Sequence, residues 1–493
     1  MTLTLILLPA VAAAVAAAIR SDRLRRALLV ATAGAHAALT AACWIRPPAC
    51  APEAWLGFDA AGRLFLGIAS LLFLAVAVYA AHRLSIESHG RQAEEDTGSI
   101  FVNAPEAVHT ACLLAFLATM TLVAASRHLG VLWVAVEATT LATAPLIYFH
   151  RQPRSLEATW KYLLVCSVGI ALALLGNFLL VVASAAPDGT GGTLVVRELV
   201  AQGAELRTPW LKAAFVFLLV GYGTKMGLAP MHTWLPDAHS EAPSPVSALL
   251  SGALLNCAFL GILRAHSICS AAGLGGFSGN LLAGFGLLSM GIAAAFLVNQ
   301  ADYKRLLAYS SVEHMGLLAL GAGLGGVALY GALLHAVNHS LVKAALFMVA
   351  GNLLAAYRTK QVARTRGALR LLPVSGALWL AGLLAITGMP PFGTFASEFT
   401  MLRAAFAPGR EWMAVVALLA LAVAFAGMAR TFLSMALGPV SDEFEPAGRR
   451  EHRAAFGPAL ALLAASLWLG LWIPNGLNGL LGHAARLLGG DAP

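Results

Sequence analysis

Apolar runs of about twenty residues, each closed by a short polar segment, recur along the whole chain. Each is long enough to cross the ~30 Å of hydrocarbon in a bilayer as a helix. The pattern predicts about fourteen membrane spans, near 2–19, 27–45, 62–82, 106–126, 128–149, 160–184, 209–235, 244–266, 278–299, 303–323, 325–356, 372–406, 411–438 and 455–473. No soluble domain of useful size is left over. The predicted fold class is an all-α polytopic membrane protein.

Two of these spans are interrupted. In the seventh, GYGTKMGLAPMHTWLPDAHSEAPSPVSALL, Lys225 is followed by Gly227 and Pro230. In the twelfth, LAGLLAITGMPPFGTFASEFTMLRAAF, the breakers are Gly388, Pro390, Pro391 and Gly393, and Glu398 follows. A helix broken at membrane depth frees backbone polar groups, which are tolerated only when buried in protein or lining a wet cavity. Paired interruptions at corresponding places in two halves point to transporter repeats. The units this predicts are three N-terminal spans (1–100), a first repeat (101–270), a second repeat (271–440) and a C-terminal helix and tail (441–493).

Composition agrees: 59% of residues are apolar and 11% charged, against roughly 25% charged in soluble domains, and the mean hydropathy is +0.77. The net charge of +8 lies in loops. Arg20, Arg23, Arg25 and Arg26; Arg151, Arg154 and Lys161; Lys304 and Arg305; and Arg358, Lys360, Arg364, Arg366 and Arg370 all fall on one side if the N-terminus is outside. By the positive-inside rule that side is cytoplasmic, so both termini are expected to be periplasmic. The charge is a topology signal and not a nucleic-acid footprint. The N-terminus MTLTLILLPA lacks a basic leader and reads as a retained span.

Cysteines 43, 50, 112, 166, 257 and 269 are scattered, so no iron–sulfur cluster is expected in this chain. HAVNH at 335–339 lacks the glutamate that zinc peptidases place after the first histidine. Gly-rich nucleotide loops are missing as well. No catalytic, cofactor-binding or metal residue is predicted.

What remains is a set of ionisable residues inside apolar spans, where each costs about 2.5–3.5 kcal/mol on insertion scales and so marks function. Glu137 lies near the middle of the fifth span and Lys225 deep in the seventh. If close, such a pair would have a charge state that depends on separation, as a proton switch requires. His335, His339 and Lys343 recur at i, i+4 and i+8, on one face of the eleventh span. They cover about 12 Å of depth and suit a relay, because histidine exchanges protons near neutrality. Glu313 and His314 of the tenth span extend that relay, and His232 lies just past the first break. Glu157 and Lys161 are spaced as an i, i+4 interfacial pair. Asp302, Lys304 and Arg305 look like a cap of the tenth span, and Asp237 and Glu241 either line an inner vestibule or are simply solvated.

At these residues the chain resembles a known family. GTKMGLAPMHTWLPDAHSEAPSPVSALLSG, DYKRLLAYSSVEHMG, HAVNHSLVKAALF and the fifth-span glutamate are similar to the proton-conducting, antiporter-like subunits of respiratory complex I. Relatives occur in group 4 hydrogenases and multisubunit sodium/proton antiporters. VEATTLATAPLIYF, RSLEATWKYLLVCSVGIALALLG and SGALLNC look most like the F-type membrane subunit of hydrogenase-4 and formate hydrogenlyase complexes. The resemblance implies fourteen helices with two inverted five-helix repeats and broken seventh and twelfth helices. It makes Glu137 and Lys225 the glutamate/lysine pair of the first half-channel. Lys343, with His335 and His339, becomes the central connection, and Glu398 the outlet. Where complex I relatives often carry lysine or histidine in the eighth span, this chain has Ser251 and Asn256, so a path between the halves needs water to bridge it.

The function this predicts is a proton-translocating subunit of a hydrogenase-like or complex I-like oxidoreductase in a bacterial inner membrane. Its expected partners are other membrane subunits and hydrogenase-like peripheral subunits, which would hold iron–sulfur clusters and, as a further candidate, a nickel–iron centre. The alternatives are a subunit of a multisubunit sodium/proton antiporter, or a proton-driven energiser of inorganic-carbon uptake.

Overall fold

In the computed structural model, which describes residues 1–48, 51, 54–86, 92–93, 100–186, 191–407, 409–440 and 451–489, helices carry almost all of the chain. Three helices lead: α1 (Thr2–Ala18), α2 (Asp22–Ile45) and α3 (Ala60–Ile86). A first group holds α4 (Glu106–Ala125), α5 (Leu129–Ile147), α6 (Pro153–Ser184), α7 (Thr208–Met226) and α8 (Trp234–Glu241). It closes with α9 (Ser244–Leu249) and α10 (Leu255–Ala271), joined through a π-helical turn at Leu250–Leu254. A second group holds α11 (Gly275–Leu297), α12 (Tyr303–Leu324), α13 (Gly326–Tyr357), α14 (Pro373–Ile386), α15 (Gly393–Ala405) and α16 (Glu411–Leu437). Two more follow, α17 (Arg453–Leu471) and α18 (Asn475–Leu487). Among the described residues β pairing is confined to a two-residue antiparallel pair, Gln92–Ala93 with Ile100–Phe101, and to isolated bridges at Leu56–Ser126, His128–Val195 and Asp302–Gln361.

Among the described residues eleven helical stretches are long and apolar enough to cross a membrane, and α1 and α14 are shorter apolar helices. This is a multi-pass membrane protein. At 22 residues α12 has the length but not the apolarity: Lys304, Arg305, Glu313 and His314 dilute it. It is nonetheless almost wholly buried, because its polar groups face protein. α13 is buried along most of its length, against α12, α14, α15 and α17. Small residues let backbones approach where no hydrophobic drive separates helix from lipid. Thus a Cβ on Gly316 of α12 would meet the Gly286 carbonyl oxygen of α11 at 2.6 Å.

Both predicted interruptions are present, and they are built alike. α7 ends at Gly227, whose φ of +85° is left-handed, and the Leu228 amide donates to the Gly223 carbonyl at 2.9 Å. α14 ends at Gly388, φ +62°, and the Met389 amide donates to the Leu384 carbonyl at 3.0 Å. Each is a Schellman cap, whose left-handed position suits glycine. In each, a side chain from beyond the break donates to the carbonyl three residues before the glycine. Trp234 Nε1 reaches the Thr224 oxygen at 2.8 Å, and Thr394 Oγ1 reaches the Ala385 oxygen. The freed backbone groups are thus answered by protein.

The four basic clusters fall on one face. Arg26 pairs with Glu106 at the start of α4 (2.6 Å), and the Ala104 amide next to that start bonds the Phe149 carbonyl beyond α5. Arg154, Lys161, Arg305 and Lys360 line a single cavity.

Candidate functional site

Lys225 sits in the last turn of α7 and is fully buried. Its Nζ donates to Tyr162 Oη at 2.6 Å and to Thr140 Oγ1 at 2.8 Å. It also lies 4.4 Å from the ring centre of Tyr162 and 5.9 Å from that of Trp234. Two hydroxyl acceptors and two aromatic faces replace the water a buried ammonium loses. Thr140 also donates to Glu137 Oε2 at 3.2 Å, and Ser167 donates to Glu137 Oε1 at 3.0 Å.

Glu137 and Lys225 therefore do not touch: among the described residues no ion pair joins them, and the Thr140 hydroxyl stands between. The reason is reach. The phenol of Tyr162 and the threonine hold the ammonium inside the bundle, while Glu137 is half-buried on the α5–α6 flank. The two residues that the sequence would pair if close are joined through a hydroxyl bridge.

The crossing between the halves is bonded without a titratable residue in the eighth span. Ser251, in the π-helical turn, shares a 2.8 Å hydrogen bond with Ser311 of α12. Ser311 also donates to the Leu307 carbonyl at 3.1 Å, and Lys343 Nζ donates to that same oxygen at 2.7 Å. Asn256 donates to Ser340 Oγ of α13 at 2.7 Å. Both eighth-span residues thus reach the second group, as Ser251–Ser311–Leu307 O–Lys343 and as Asn256–Ser340.

Lys343 is fully buried, and its bond to Leu307 turns it toward α12. No ion pair with Glu313 is formed among the described residues. Two turns earlier on α13, His335 shares a hydrogen bond with His314 (Nε2 to Nδ1, 3.0 Å) and another with Ser397 of α15 (Nδ1 to Oγ, 2.9 Å). The ring of His339 lies 5.2 Å from that of His314, and among the described residues neither of its nitrogens has a partner. Glu398 packs on the break itself, where a Cβ at Gly388 would collide with its Oε2, and its Oε1 is buried without a partner. Glu313 Oε2 is likewise unpartnered.

His232 stands apart, in the 3-10 turn within the first break, its ring 6.2 Å from that of Tyr309. On the face that carries the basic clusters, a cavity of about 600 Å³ is lined by Glu157, Lys161, Asp237, Glu241, Asp302 and Lys360 among others. Lys161 bridges Glu157 (2.6 Å) and Asp237 (3.0 Å), and Lys360 pairs with Glu241 (2.8 Å). Asp302 caps α12 by accepting from the Lys304 amide at 2.7 Å. Buried Lys304 donates to the Ser240 carbonyl at 3.0 Å and to that of Ala242, which ties α12 to the end of α8. Of the cysteines, 43, 112, 166, 257 and 269 are free thiols, and Cys50 lies outside the described residues.

The sequence reading missed Thr140, Tyr162, Ser167, Ser311, Ser397 and His239. Thr140 carried a signal, since it follows Glu137 by three residues and so shares its helical face. Buried His239 stacks on Phe347 at 5.1 Å with both nitrogens unpartnered, on the inward side of the cavity-lining residues. No local pattern marks the others. The sequence predicts no metal residue, yet His314, His335 and Glu398 bring three ligand atoms within 4.8 Å of one another.

Residues 126–424 match the family described as NADH:quinone oxidoreductase/Mrp antiporter, TM, and the chain belongs to that family. It is 43% identical over 295 residues to the Hydrogenase-4 component F homolog of Methylacidiphilum infernorum, a match covering 59% of this chain and 62% of that relative. Its fold is that of a chain in the membrane-bound sulfane sulfur reductase, an archaeal respiratory membrane complex, with TM-score 0.86 at 20% identity, covering 99% of this chain and 98% of that one. A chain of respiratory complex I from Thermus thermophilus matches with TM-score 0.77 at 25% identity, over 98% of this chain and 100% of that one.

Proposed function

We propose that this chain translocates protons as a membrane subunit of a hydrogenase-like or complex I-like oxidoreductase, coupling redox chemistry in partner subunits to proton movement. On this reading it crosses a bacterial inner membrane about fourteen times, with α1, α12 and the two-part α14–α15 counted beside the eleven apolar stretches. Both termini lie outside, and residues 101–270 and 271–440 form two inverted repeats. The matching construction of the two breaks supports the repeats. The relative named for a hydrogenase-4 component supports the hydrogenase-type assembly. Iron–sulfur clusters and a nickel–iron centre would belong to partner subunits.

The observation that carries the proposal is the bonded axis. It runs from Glu137 through Thr140 to Lys225, and resumes at Ser251 and Ser311, which meets Lys343 only through the Leu307 carbonyl that both donate to, with Asn256 and Ser340 beside it. It ends among Glu313, His339, His314, His335 and Glu398. A disturbance at the exposed flank of Glu137 would change its bond to Thr140, and with it the acceptors available to Lys225. The lysine is then the element whose proton is held or released. His232, in the break beside it, is the further member of the first half.

Lys225→Met tests this in the native complex reconstituted into vesicles. The thioether side chain fills the space without a proton. Assembly should persist while protons moved per electron fall severely, and Glu137→Gln should show a similar loss. Wild-type stoichiometry in the Lys225→Met complex would sink the assignment.

A further inference from the structure

At the far end of the polar axis three helices converge on a cluster that a relay alone does not explain. His314 comes from α12, His335 from α13 and Glu398 from α15, and all three are buried. Their donor atoms lie within 4.8 Å of one another, and the facing nitrogens of the two histidines are 3.0 Å apart. Around tetrahedral zinc, with Zn–N bonds of 2.0–2.1 Å, two nitrogens sit about 3.3 Å apart. The two nitrogens thus stand within a few tenths of an ångström of that spacing, and the Glu398 carboxyl, within 4.8 Å of both, closes on the ion by a side-chain rotation. Its unused valence points the same way. Among the described residues Glu398 Oε1 and both nitrogens of neighbouring His339 are buried without partners, a state native proteins seldom leave unanswered.

We infer that His314, His335 and Glu398 form a binding site for a divalent transition metal ion of the zinc class. Two imidazoles and one carboxylate suit zinc, whereas sodium, magnesium and calcium call for all-oxygen shells. Three protein ligands leave a fourth position for water or for His339, whose ring lies 5.2 Å from that of His314. The dication would arrive beside two carboxylates, because Glu313 lies within electrostatic range of Glu398. Ser397, bonded to the other nitrogen of His335, orients that ring, as outer partners of ligating histidines do. The route in is the second break. Pro390 and Pro391 are exposed on the flank, Gly388 and Met389 are half-buried, and Glu398 lies directly behind Gly388. An ion held here would occupy the atoms that now share the His314–His335 hydrogen bond and would interrupt the axis.

The site is tested with Co²⁺, whose visible bands report tetrahedral ligation, added to the purified complex after chelation, with wild-type and variant spectra subtracted. One tetrahedral Co²⁺ per copy of this chain, displaced by Zn²⁺, is expected. Glu398→Gln and His335→Gln should each weaken it by more than the ~10–100-fold typical of losing an outer partner. His266→Gln, at a buried histidine bonded to Ser278 elsewhere, should leave it unchanged. His314→Cys exchanges one ligand for another, so it should keep the ion and add a sulfur-to-cobalt charge-transfer band, which a collapsed fold would not give. No tetrahedral Co²⁺ in the wild type, wild-type affinity in Glu398→Gln, or bound Co²⁺ without the sulfur band in His314→Cys would each overturn the site. The inference does not need the transport reading. Zn²⁺ that binds and halts translocation supports both, whereas Zn²⁺ that binds and leaves translocation intact supports the site and overturns the relay.

Discussion

Replacing Thr140 with valine removes one hydroxyl from the first half of the axis and keeps nearly the same volume. That hydroxyl accepts from Lys225 at 2.8 Å and donates to Glu137 at 3.2 Å. Hydrogen bonds to charged groups are worth about 1.5–3 kcal/mol each. The 3.2 Å bond is long for an O–H donor, whose distances centre near 2.7–2.8 Å, so it counts at the low end. Together the two come to roughly 3–4 kcal/mol. At 1.36 kcal/mol per decade, even half of this, felt only as the proton moves, slows transfer about tenfold. Tyr162 still holds the ammonium, so the fold should survive. The assay is proton translocation per electron in vesicles, read with a pH-sensitive dye. Thr140→Val should lose at least about tenfold, and Thr140→Ser should stay within about threefold, since serine keeps the hydroxyl. A valine variant pumping at the wild-type ratio would refute the bridge.

Three further outcomes follow from the geometry. Ser251→Ala and Ser311→Ala each cut the same crossing, so each should slow translocation several-fold and the double variant little more than either, which a double-mutant cycle measures. Gly388→Ala places a side chain at φ +62° and against Glu398. The backbone cost alone is about 1–2 kcal/mol, so the unfolding temperature should fall, whereas Gly276→Ala, which meets nothing within 4 Å, should be neutral. A C-terminal reporter should score as periplasmic and one in the Arg358–Arg370 loop as cytoplasmic; the same side for both would show a miscounted span or a wrong fold, and exchanged sides a wrong orientation.

The apolar runs and the two Gly/Pro breaks were legible because each has a local cause: helix length for the runs, a left-handed position for the glycines. The expensive ions Glu137, Lys225, Lys343 and Glu398 were legible because apolar surroundings make them conspicuous. Their partners were not. Nothing near Tyr162 says that it faces Lys225 sixty-three positions later, or near Ser311 that it meets Ser251, since hydroxyls are cheap in a span and leave no mark on hydropathy. The π-helical turn at Leu250–Leu254 has no composition of its own, and α18 lies beyond the last predicted span. The trio His314, His335 and Glu398 was named residue by residue, but its convergence depends on how three helices pack.

If protons cross as proposed, the passage through Ser251 and Ser311 offers them no place to wait. A hydroxyl passes a proton on while receiving another and stores none at neutral pH, so occupancy is confined to the ionisable groups on either side. Turning one serine rotor, a motion of picoseconds to nanoseconds for a free side chain, makes or breaks continuity. On that proposal the timing of the crossing becomes a matter of which way two buried hydroxyls point when Lys225 and Lys343 differ in charge.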